Sequence, residues 1–175
     1  QELIQKLIDV DLAPRLHTVF RGVDRPMLIC KSCAHERPSA GMEAFTCLSL
    51  PLLAQGQVVE CVQAALDEYL KPEDVMLDYV CAACGSAGNP RKRHHITEKP
   101  RILLIHLVRW VADEAHEPIF SKVVPNQILT MQDTTYELRS VVVHLGQTAT
   151  IGHYIALARH DVAAGQCWYY NDSEL

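Results

Sequence analysis

The sequence predicts an α+β domain whose strands pair mostly in antiparallel sheets. One segment, 58–69, repeats its apolar residues at intervals of three and four, which is the spacing of an amphipathic helix. Three strand-like runs with glycine-containing connections follow near the C-terminus: 136–145, 153–159 and 166–171. Two C-x-x-C pairs favour a zinc-ribbon-like region in the first half of the chain: Cys30 with Cys33, and Cys81 with Cys84.

The composition is that of an ordinary folded chain. Hydrophobic residues make up 49% and charged residues 21% of its 175 residues, which excludes a disordered or fibrous protein. Sixteen Lys and Arg against 21 Asp and Glu leave a net charge of -5, which argues against nucleic acid as a partner. The apolar stretches, such as 102–108, are far shorter than the roughly 20 residues of a membrane-spanning helix. We therefore expect one domain that binds neither nucleic acid nor a membrane.

The elements of the first half follow from apolar spacing and proline positions. Segment 27–36 runs from apolar residues into the first cysteine pair, as a strand that enters a metal-binding turn does. Segment 44–51 is predicted to be another strand. The helix over 58–69 ends before Pro72, because proline cannot continue a helix. Cys61 is expected in the middle of that helix as a core residue.

Two further segments precede the C-terminal strands. The basic run 91–95 is predicted to be a solvated hairpin tip, with an acidic binding surface as the less favoured alternative. The nearly continuous apolar run 101–110 is typical of a strand that is covered on both faces. Its His106 is expected to be a hydrogen-bonded histidine of the core.

The two cysteine pairs together supply four thiolates, the ligand set that tetrahedral Zn²⁺ favours. A long stretch of chain separates Cys33 from Cys81, so folding must bring the two turns together. His35 or Cys47 could replace one ligand, and a redox pair or merely buried cysteines are the competing interpretations. Because a four-thiolate site is closed, we predict one structural Zn²⁺ per chain that takes no part in catalysis.

The cysteine count also bears on the compartment. The chain has seven cysteines, an odd number, and no signal-peptide pattern, which argues against a disulfide framework. We therefore expect a reducing compartment, the cytoplasm or the nucleus. The first residue is Gln rather than Met, which suggests a piece of a longer protein.

A histidine lies at the start of one C-terminal strand and polar residues lie at the end of the next. If the two strands pair about the midpoint of their connecting loop, His153 lies directly opposite Asn171 or Asp172. An imidazole held by an amide or carboxylate oxygen has one tautomer and one orientation, which a general base needs. An ordinary surface histidine that faces a polar neighbour is the alternative.

Seven segments occur in a distinctive order and spacing. They are Cys30-x-x-Cys33, 45–52, Cys81-x-x-Cys84, 100–110, 136–144, Gly152-His153-Tyr154 and 168–173. Together they resemble the ubiquitin-specific proteases, and the resemblance covers nearly the whole chain. Trp110 stands where that family usually has Phe, which is a conservative departure.

The resemblance implies a papain-like cysteine peptidase fold, divided into thumb, fingers and palm. Residues 1–27 would be a remnant of the thumb and its connection, and 28–99 would be the fingers with the zinc site. Residues 100–175 would be the palm, which is mostly antiparallel sheet. The chain is then expected to be a single partial domain from which the thumb is absent.

The resemblance also implies an activity, which is thiol-dependent hydrolysis of the isopeptide bond at the ubiquitin C-terminus. Ubiquitin and ubiquitinated proteins are the expected partners. His153 corresponds to the general base, Asn171 to the residue that orients it, and Asp172 to an acidic residue that often assists. Segment 145–151 matches a loop that borders the groove for the ubiquitin tail. The expected substrate-binding residues are Leu145, Gly146, Gly152 and Tyr154.

The family's nucleophile lies in an Asn- and Gly-rich Cys box near the start of the domain, and this sequence contains no such segment. We therefore expect the chain to be inactive alone, with the Cys box upstream in a longer protein or on a second chain. Two other functions stay open. One is a catalytically inactive module that binds ubiquitin, and the other is a zinc-ribbon interaction platform unrelated to ubiquitin.

Overall fold

The structure is a computed structural model that describes residues 18–109, 121–146, 151–161 and 166–171. The chain divides into two compact units. Unit 1 comprises Gln1–Pro51 and Leu66–Leu107, and unit 2 comprises Leu52–Ala65 and Val108–Leu175. Among the described residues, none of the helices has the length and apolar character needed to cross a membrane.

Short strands dominate the described residues. They are β1 (Gly22–Asp24), β2 (Met27–Ile29), β3 (Glu36–Pro38), β4 (Glu43–Phe45), β5 (Leu48–Pro51), β6 (Leu53–Ala54), β7 (Gln57–Val58), β8 (Glu73–Asp74), β9 (Tyr79–Val80), β10 (Ala87–Gly88), β11 (Arg91–Arg93), β12 (Ile96–Glu98), β13 (Ile105–Val108), β14 (Ile128–Met131), β15 (Thr134–Glu137), β16 (Ser140–Leu145), β17 (His153–Asp161) and β18 (Gln166–Asn171). The helix α1 is Val62–Leu70. The strand pairs with a described register inside the sheets are antiparallel, which confirms the predicted α+β class with mostly antiparallel sheet.

The helix α1 begins later than its apolar spacing predicts. Residues 57–58 form β7, which pairs with β6, so the pattern includes residues that are not helical. Cys61 immediately precedes α1 and forms a bridge with Val124, so the prediction that it lies in mid-helix is wrong. The side-chain oxygen of Asn126 accepts a hydrogen bond from the Gln63 amide at 2.9 Å, which satisfies a donor in the first turn.

Unit 1 contains two larger sheets, with strand orders β3-β2-β11-β8 and β12-β1-β4. The predicted strand over 44–51 is divided between β4 and β5. Of the apolar run 101–110, the described residues 101–109 form strand structure only in β13. The β13 side chains are half-buried rather than fully covered. Within β13, His106 Nδ1 lies 3.4 Å from the Ser49 hydroxyl, so the imidazole has a polar partner as expected.

The basic run 91–95 is not a hairpin tip. Its first three residues form β11, which lies between β2 and β8 inside the four-stranded sheet. Arg93 forms an ion pair with Glu36 at 2.7 Å. His94 Nδ1 contacts the carboxylate of Asp24, whose side chain is 5% exposed. The sequence alone hides this arrangement, because the acidic partners lie far from the run along the chain.

Asp24 is a buried carboxylate, and both of its oxygens have hydrogen-bond partners. Its Oδ1 accepts a hydrogen bond from the His95 amide at 2.9 Å, and the Tyr69 ring stacks on His94 with centroids 4.1 Å apart. Burial alone would raise the pKa of Asp24, but the hydrogen bonds from His94 and the His95 amide hold it below its usual range. This contact joins the end of β1 to the residues that follow β11.

Unit 2 contains the three-stranded sheet β16-β17-β18 and the hairpins β14-β15 and β6-β7. The predicted strand over 136–145 is divided, because Leu138 and Arg139 lie outside both β15 and β16. The predicted strand over 166–171 is confirmed as β18. In the three-stranded sheet, β17 is central, and its first residue, His153, lies opposite Leu145 at the end of β16.

Candidate functional site

Four cysteine sulfurs meet at one point of unit 1. The cluster consists of Cys30, Cys33, Cys81 and Cys84, whose sulfurs all lie within 4.8 Å of one another. The Cys30 and Cys84 sulfurs are 3.8 Å apart, and those of Cys33 and Cys81 are 3.6 Å apart. Four sulfurs placed tetrahedrally about 2.3 Å from a central Zn²⁺ would be about 3.8 Å apart. The cluster could therefore hold a metal ion of that size.

The cysteines belong to two hairpins with the same local structure. In the first hairpin, the Cys30 amide donates to the His35 carbonyl and the Ala34 amide donates to the Cys30 carbonyl, both at 2.9 Å. The second hairpin repeats these bonds from Cys81 to Ser86 at 2.9 Å and from Gly85 to Cys81 at 2.8 Å. His35 thus supports the cluster with its backbone, while its imidazole is absent from the group of ligand atoms.

Each hairpin has a left-handed residue four positions after its first cysteine. These residues are Ala34, with φ of 58°, and Gly85, with φ of 68°. Glycine adopts this conformation freely, whereas alanine pays roughly 1–2 kcal/mol for it. A non-glycine residue in this conformation is tolerated only where the surroundings fix the turn. The closed hairpin around Cys30 fixes it here.

Backbone amides point at the sulfurs. In each pair the amide of the second cysteine donates to the sulfur of the first, from Cys33 to Cys30 and from Cys84 to Cys81. These hydrogen bonds lower the pKa of the Cys30 thiol and lower the pKa of the Cys81 thiol to about 6. These bonds favour the thiolate, the form that binds metal, at the first cysteine of each pair, whereas hydrogen bonding with the Cys84 thiol and burial raise the pKa of Cys33 to about 12.

Unit 2 holds the second cluster of site residues, His153 and Asn171. The predicted register is wrong by two residues, because Asn171 lies directly opposite Ile155 rather than His153. The cause is that β17 continues beyond Arg159 and its pairing shifts near Asp161, which moves the centre of the hairpin. An even shift keeps residues on the same face of the sheet. The two side chains therefore meet on a diagonal, with His153 Nε2 at 2.6 Å from Asn171 Oδ1.

This contact determines what the imidazole can do. An amide oxygen only accepts hydrogen bonds, so Nε2 of the neutral His153 ring carries the proton and donates it to Asn171. Nδ1 then has the lone pair that can accept a proton. A neighbouring amide thus holds the tautomer and the ring orientation of His153, an arrangement that could serve as a base in the manner of Cys-His-Asn sites.

The four expected substrate-binding residues lie around His153 but not all on its face. Leu145 is directly opposite His153 and is half exposed. Tyr154 follows His153 in β17, so its side chain lies on the other face, where its ring centroid is 4.8 Å from that of His144. Gly146 follows β16 and Gly152 precedes β17, and both lie beside the His144 ring.

His144 is a residue that the sequence analysis left without a role. A Cβ added at Gly152 would lie 2.1 Å from its Nε2, and one added at Gly146 would lie 2.8 Å from its Cε1. Real Cβ atoms do not approach so closely, so both glycines make room for the imidazole. A glycine on each side of the connection 146–152 is the sequence signal that could have indicated a close approach.

We expect Gly152→Ala to destabilise the protein by about 1–3 kcal/mol, because the added Cβ meets the His144 ring and the Leu145 carbonyl, which lies at 2.8 Å. Urea unfolding of the variant and parent protein measures this difference. Gly41→Ala is the matched control, since a Cβ there meets nothing within 4 Å. Equal stability of the two alanine variants would contradict the packing of His144 against Gly152.

The remaining candidates are less well placed. Asp172 and Trp110 lie outside the described residues. Cys167 is on the same face as Asn171 but four residues along β18, which is about 13 Å at the usual rise of a strand. Burial raises the pKa of the Cys47 thiol, which is the opposite of what a nucleophile needs.

A family model described as ubiquitin carboxyl-terminal hydrolase matches residues 11–175 of the chain. Ubiquitin carboxyl-terminal hydrolase 48 of Danio rerio is 29% identical over 188 residues, which cover 100% of this chain and 17% of that protein. Ubl carboxyl-terminal hydrolase 18 of Mus musculus is 29% identical over 189 residues, which cover 97% of this chain and 50% of that protein. The chain thus spans half or less of the length of these two relatives.

Solved structures agree with these sequence similarities. A chain of the SAGA DUB module, composed of Ubp8, Sgf11, Sus1 and Sgf73 and bound to monoubiquitin, matches with a TM-score of 0.75 and 26% identity. The match covers 90% of this chain and 36% of that chain. The same module bound to ubiquitin aldehyde matches with a TM-score of 0.73 and 25% identity. The predicted peptidase fold is therefore confirmed.

Proposed function

Because this chain belongs to the ubiquitin carboxyl-terminal hydrolase family, we propose that it is the part of a deubiquitinase that supplies the general base and a zinc-stabilised region. The protein would hydrolyse the isopeptide bond at the C-terminus of ubiquitin by thiol chemistry. The contact between His153 Nε2 and Asn171 Oδ1 is the observation that carries this proposal. Without that contact, the fold alone would leave the activity unsupported.

The proposed catalytic role of His153 follows from the tautomer described above. Nδ1 would take the proton of a cysteine thiol, and the thiolate would attack the carbonyl carbon at the ubiquitin C-terminus. The imidazolium would then return the proton to the leaving lysine amine, and water would hydrolyse the resulting thioester. Asn171 would orient the ring through both steps. Asp172 would assist it, which rests on the sequence resemblance alone.

The nucleophile is proposed to come from a Cys box outside the present sequence, either upstream or on a second chain. The four clustered cysteines would be engaged with metal, Cys167 is too far from Asn171 along β18, and the Cys47 pKa is raised by burial. The exposed Leu145 and the glycines that flank the 146–152 connection would border the groove for the ubiquitin tail. The isolated chain is then expected to be inactive.

We propose Zn²⁺ for the four-cysteine cluster, bound once per chain. Four sulfurs with near-tetrahedral separations and amides aimed at them fit a thiolate-only site. When bound, the ion would supply structural stability and no catalytic chemistry, since the four sulfurs leave no open position. The cytoplasm or nucleus would keep these thiols reduced.

A ubiquitin-like modifier is a second candidate substrate. One relative of similar identity carries Ubl rather than ubiquitin in its name. The same base and the same groove would serve either modifier, because both would present a C-terminal tail to His153. Substrate identity is therefore tested separately from catalysis.

The proposed function is tested with the full-length protein and with the 175-residue chain. Each is mixed with ubiquitin and with a ubiquitin-like modifier carrying a C-terminal fluorophore amide. We expect the full-length protein to release the fluorophore, and the short chain to bind the modifier without releasing it. Binding by the full-length protein without hydrolysis would indicate an inactive ubiquitin-binding module. Absence of both binding and hydrolysis would refute the proposal and leave a zinc-ribbon interaction platform.

A further inference from the structure

The hydroxyl of Tyr79 is buried in unit 1 without a hydrogen-bond partner. Tyr79 is 4% exposed, and its oxygen has no donor or acceptor within bonding geometry. Leaving a buried hydroxyl unpaired costs on the order of 1–3 kcal/mol. Native proteins rarely accept that cost, so the hydroxyl is expected to have a partner in the functional state of the protein.

Tyr79 lies in direct contact with the metal-ligand cluster. It forms one buried group with Leu28, Cys30 and Cys81. A phenolic hydroxyl is a hydrogen-bond donor, so Tyr79 can donate to an acceptor beside it.

The two hairpins differ at this position. Leu28 lies two residues before Cys30, and Tyr79 lies two residues before Cys81, so the two side chains are equivalent in the repeated hairpin. Leucine meets the packing requirement in the first hairpin. The second hairpin has a side chain that fills the same role and adds a hydroxyl, which packing alone does not require.

Four thiolates around one Zn²⁺ leave a net charge of about −2 at a half-buried site. Such charge is stabilised by hydrogen bonds to the sulfurs and by nearby cations. The amide of Cys84 already points at the Cys81 sulfur. The guanidinium of Arg37 lies over the Tyr79 ring, with its carbon 5.0 Å from the ring centroid, and adds positive charge at the same edge.

We propose that Tyr79 is a positioning residue of the metal site, whose hydroxyl donates a hydrogen bond to the Cys81 thiolate when the four cysteines hold Zn²⁺. The proposal rests on the zinc site proposed above. A ligated thiolate is a much stronger acceptor than a thiol that keeps its own proton. Tyr79 would thus favour the metal-bound form over the free thiols.

Tyr79→Phe tests the proposal because it removes the hydroxyl and keeps the ring. We expect the variant to bind Zn²⁺ about 10-fold more weakly than the parent protein, measured by competition with a chromophoric chelator. In the Co²⁺-loaded proteins, loss of the hydrogen bond should move the sulfur-to-cobalt charge-transfer band to longer wavelength. Tyr169→Phe is the matched control, since Tyr169 is exposed on β18.

A second substitution keeps the test decisive if the Phe variant does not fold. Site-specific 3-fluorotyrosine at position 79 preserves the shape of the side chain and makes its hydroxyl a stronger donor, so the Co²⁺ band should move to shorter wavelength. Unchanged zinc affinity with an unchanged band in these proteins would overturn the role of Tyr79. Parent protein that binds no zinc at all would instead overturn the zinc site, so the two failures are distinguishable.

Discussion

His153→Ala should abolish nearly all hydrolysis by the full-length protein, with kcat/KM falling by about 10³–10⁵-fold on a ubiquitin–fluorophore amide. The imidazole is the proposed base, and its orientation depends on the 2.6 Å contact with Asn171. The substitution removes the group that would take the thiol proton and return it to the leaving amine, a task that water performs poorly. The strand register of β17 should stay intact. Ubiquitin binding should therefore change little, and the loss should appear in kcat rather than in KM.

A matched histidine in unit 1 controls for the substitution itself. His95→Ala retains the backbone amide that donates to Asp24, so we expect its activity to stay within about twofold of the parent protein. Hydrolysis by the His153→Ala variant at the parent rate would refute the proposed base. Cys61→Ser and Cys167→Ser should also keep activity, because neither thiol is the proposed nucleophile.

The orienting residue is separated from its neighbour by a second pair of variants. Asn171→Ala should lower kcat on the order of 100-fold, because the ring loses the acceptor that fixes its tautomer. Asp172→Ala should have a smaller effect if Asp172 only assists. A larger loss for Asp172→Ala than for Asn171→Ala would transfer the orienting role to Asp172 and contradict the geometry proposed for Asn171.

Cys81→Ser should release zinc and unfold unit 1. The Cys81 sulfur lies 3.6 Å from that of Cys33, and it has the lowered pKa of a ligating thiolate. A serine hydroxyl is a poor zinc ligand at neutral pH, and the two hairpins would lose the ion that joins them. Elemental analysis should find about one zinc per chain in the parent protein and far less in the variant. Circular dichroism should show the loss of folded structure.

Cys167→Ser is the matched control for zinc, since this cysteine is exposed and outside the cluster. It should keep both its zinc and its thermal midpoint. Treatment of the parent protein with a strong chelator should reproduce the Cys81→Ser result, and added zinc should reverse it. A zinc-free parent protein with unchanged thermal stability would show that the cluster does not need a metal.

The four-cysteine cluster is largely predictable from the sequence, because the C-x-x-C spacing fixes each half of the cluster locally. The approach of the two cysteine pairs to one another is not predictable in this way. It depends on sheets that bring Cys33 and Cys81 together from distant positions in the chain. The sequence also gives no sign of a role for the Tyr79 hydroxyl, because an aromatic residue shortly before a cysteine is interpreted simply as a core residue. Its significance follows only from the missing partner in the folded structure.

The sequence predicts that His153 and Asn171 lie on the same face of the sheet, but it does not predict the register in which β17 and β18 pair. Alternation along a strand assigns His153 and Asn171 to one face for any pairing whose shift is even. The irregularity near Asp161 decides which residue is opposite, and such irregularities leave little trace in a sequence. The prediction that the basic run 91–95 forms a hairpin tip was wrong for a related reason, because its partner Asp24 lies far away along the chain.

A metal ion held between the two hairpins would be a cross-link in the chain. Each hairpin closes over a few residues, whereas Cys33 and Cys81 are 48 positions apart. The entropy of closing such a loop grows only with the logarithm of its length, so doubling the connecting segment costs about 0.6 kcal/mol. Evolution could therefore lengthen or shorten the chain between the hairpins at small cost, while each C-x-x-C turn would have to stay intact.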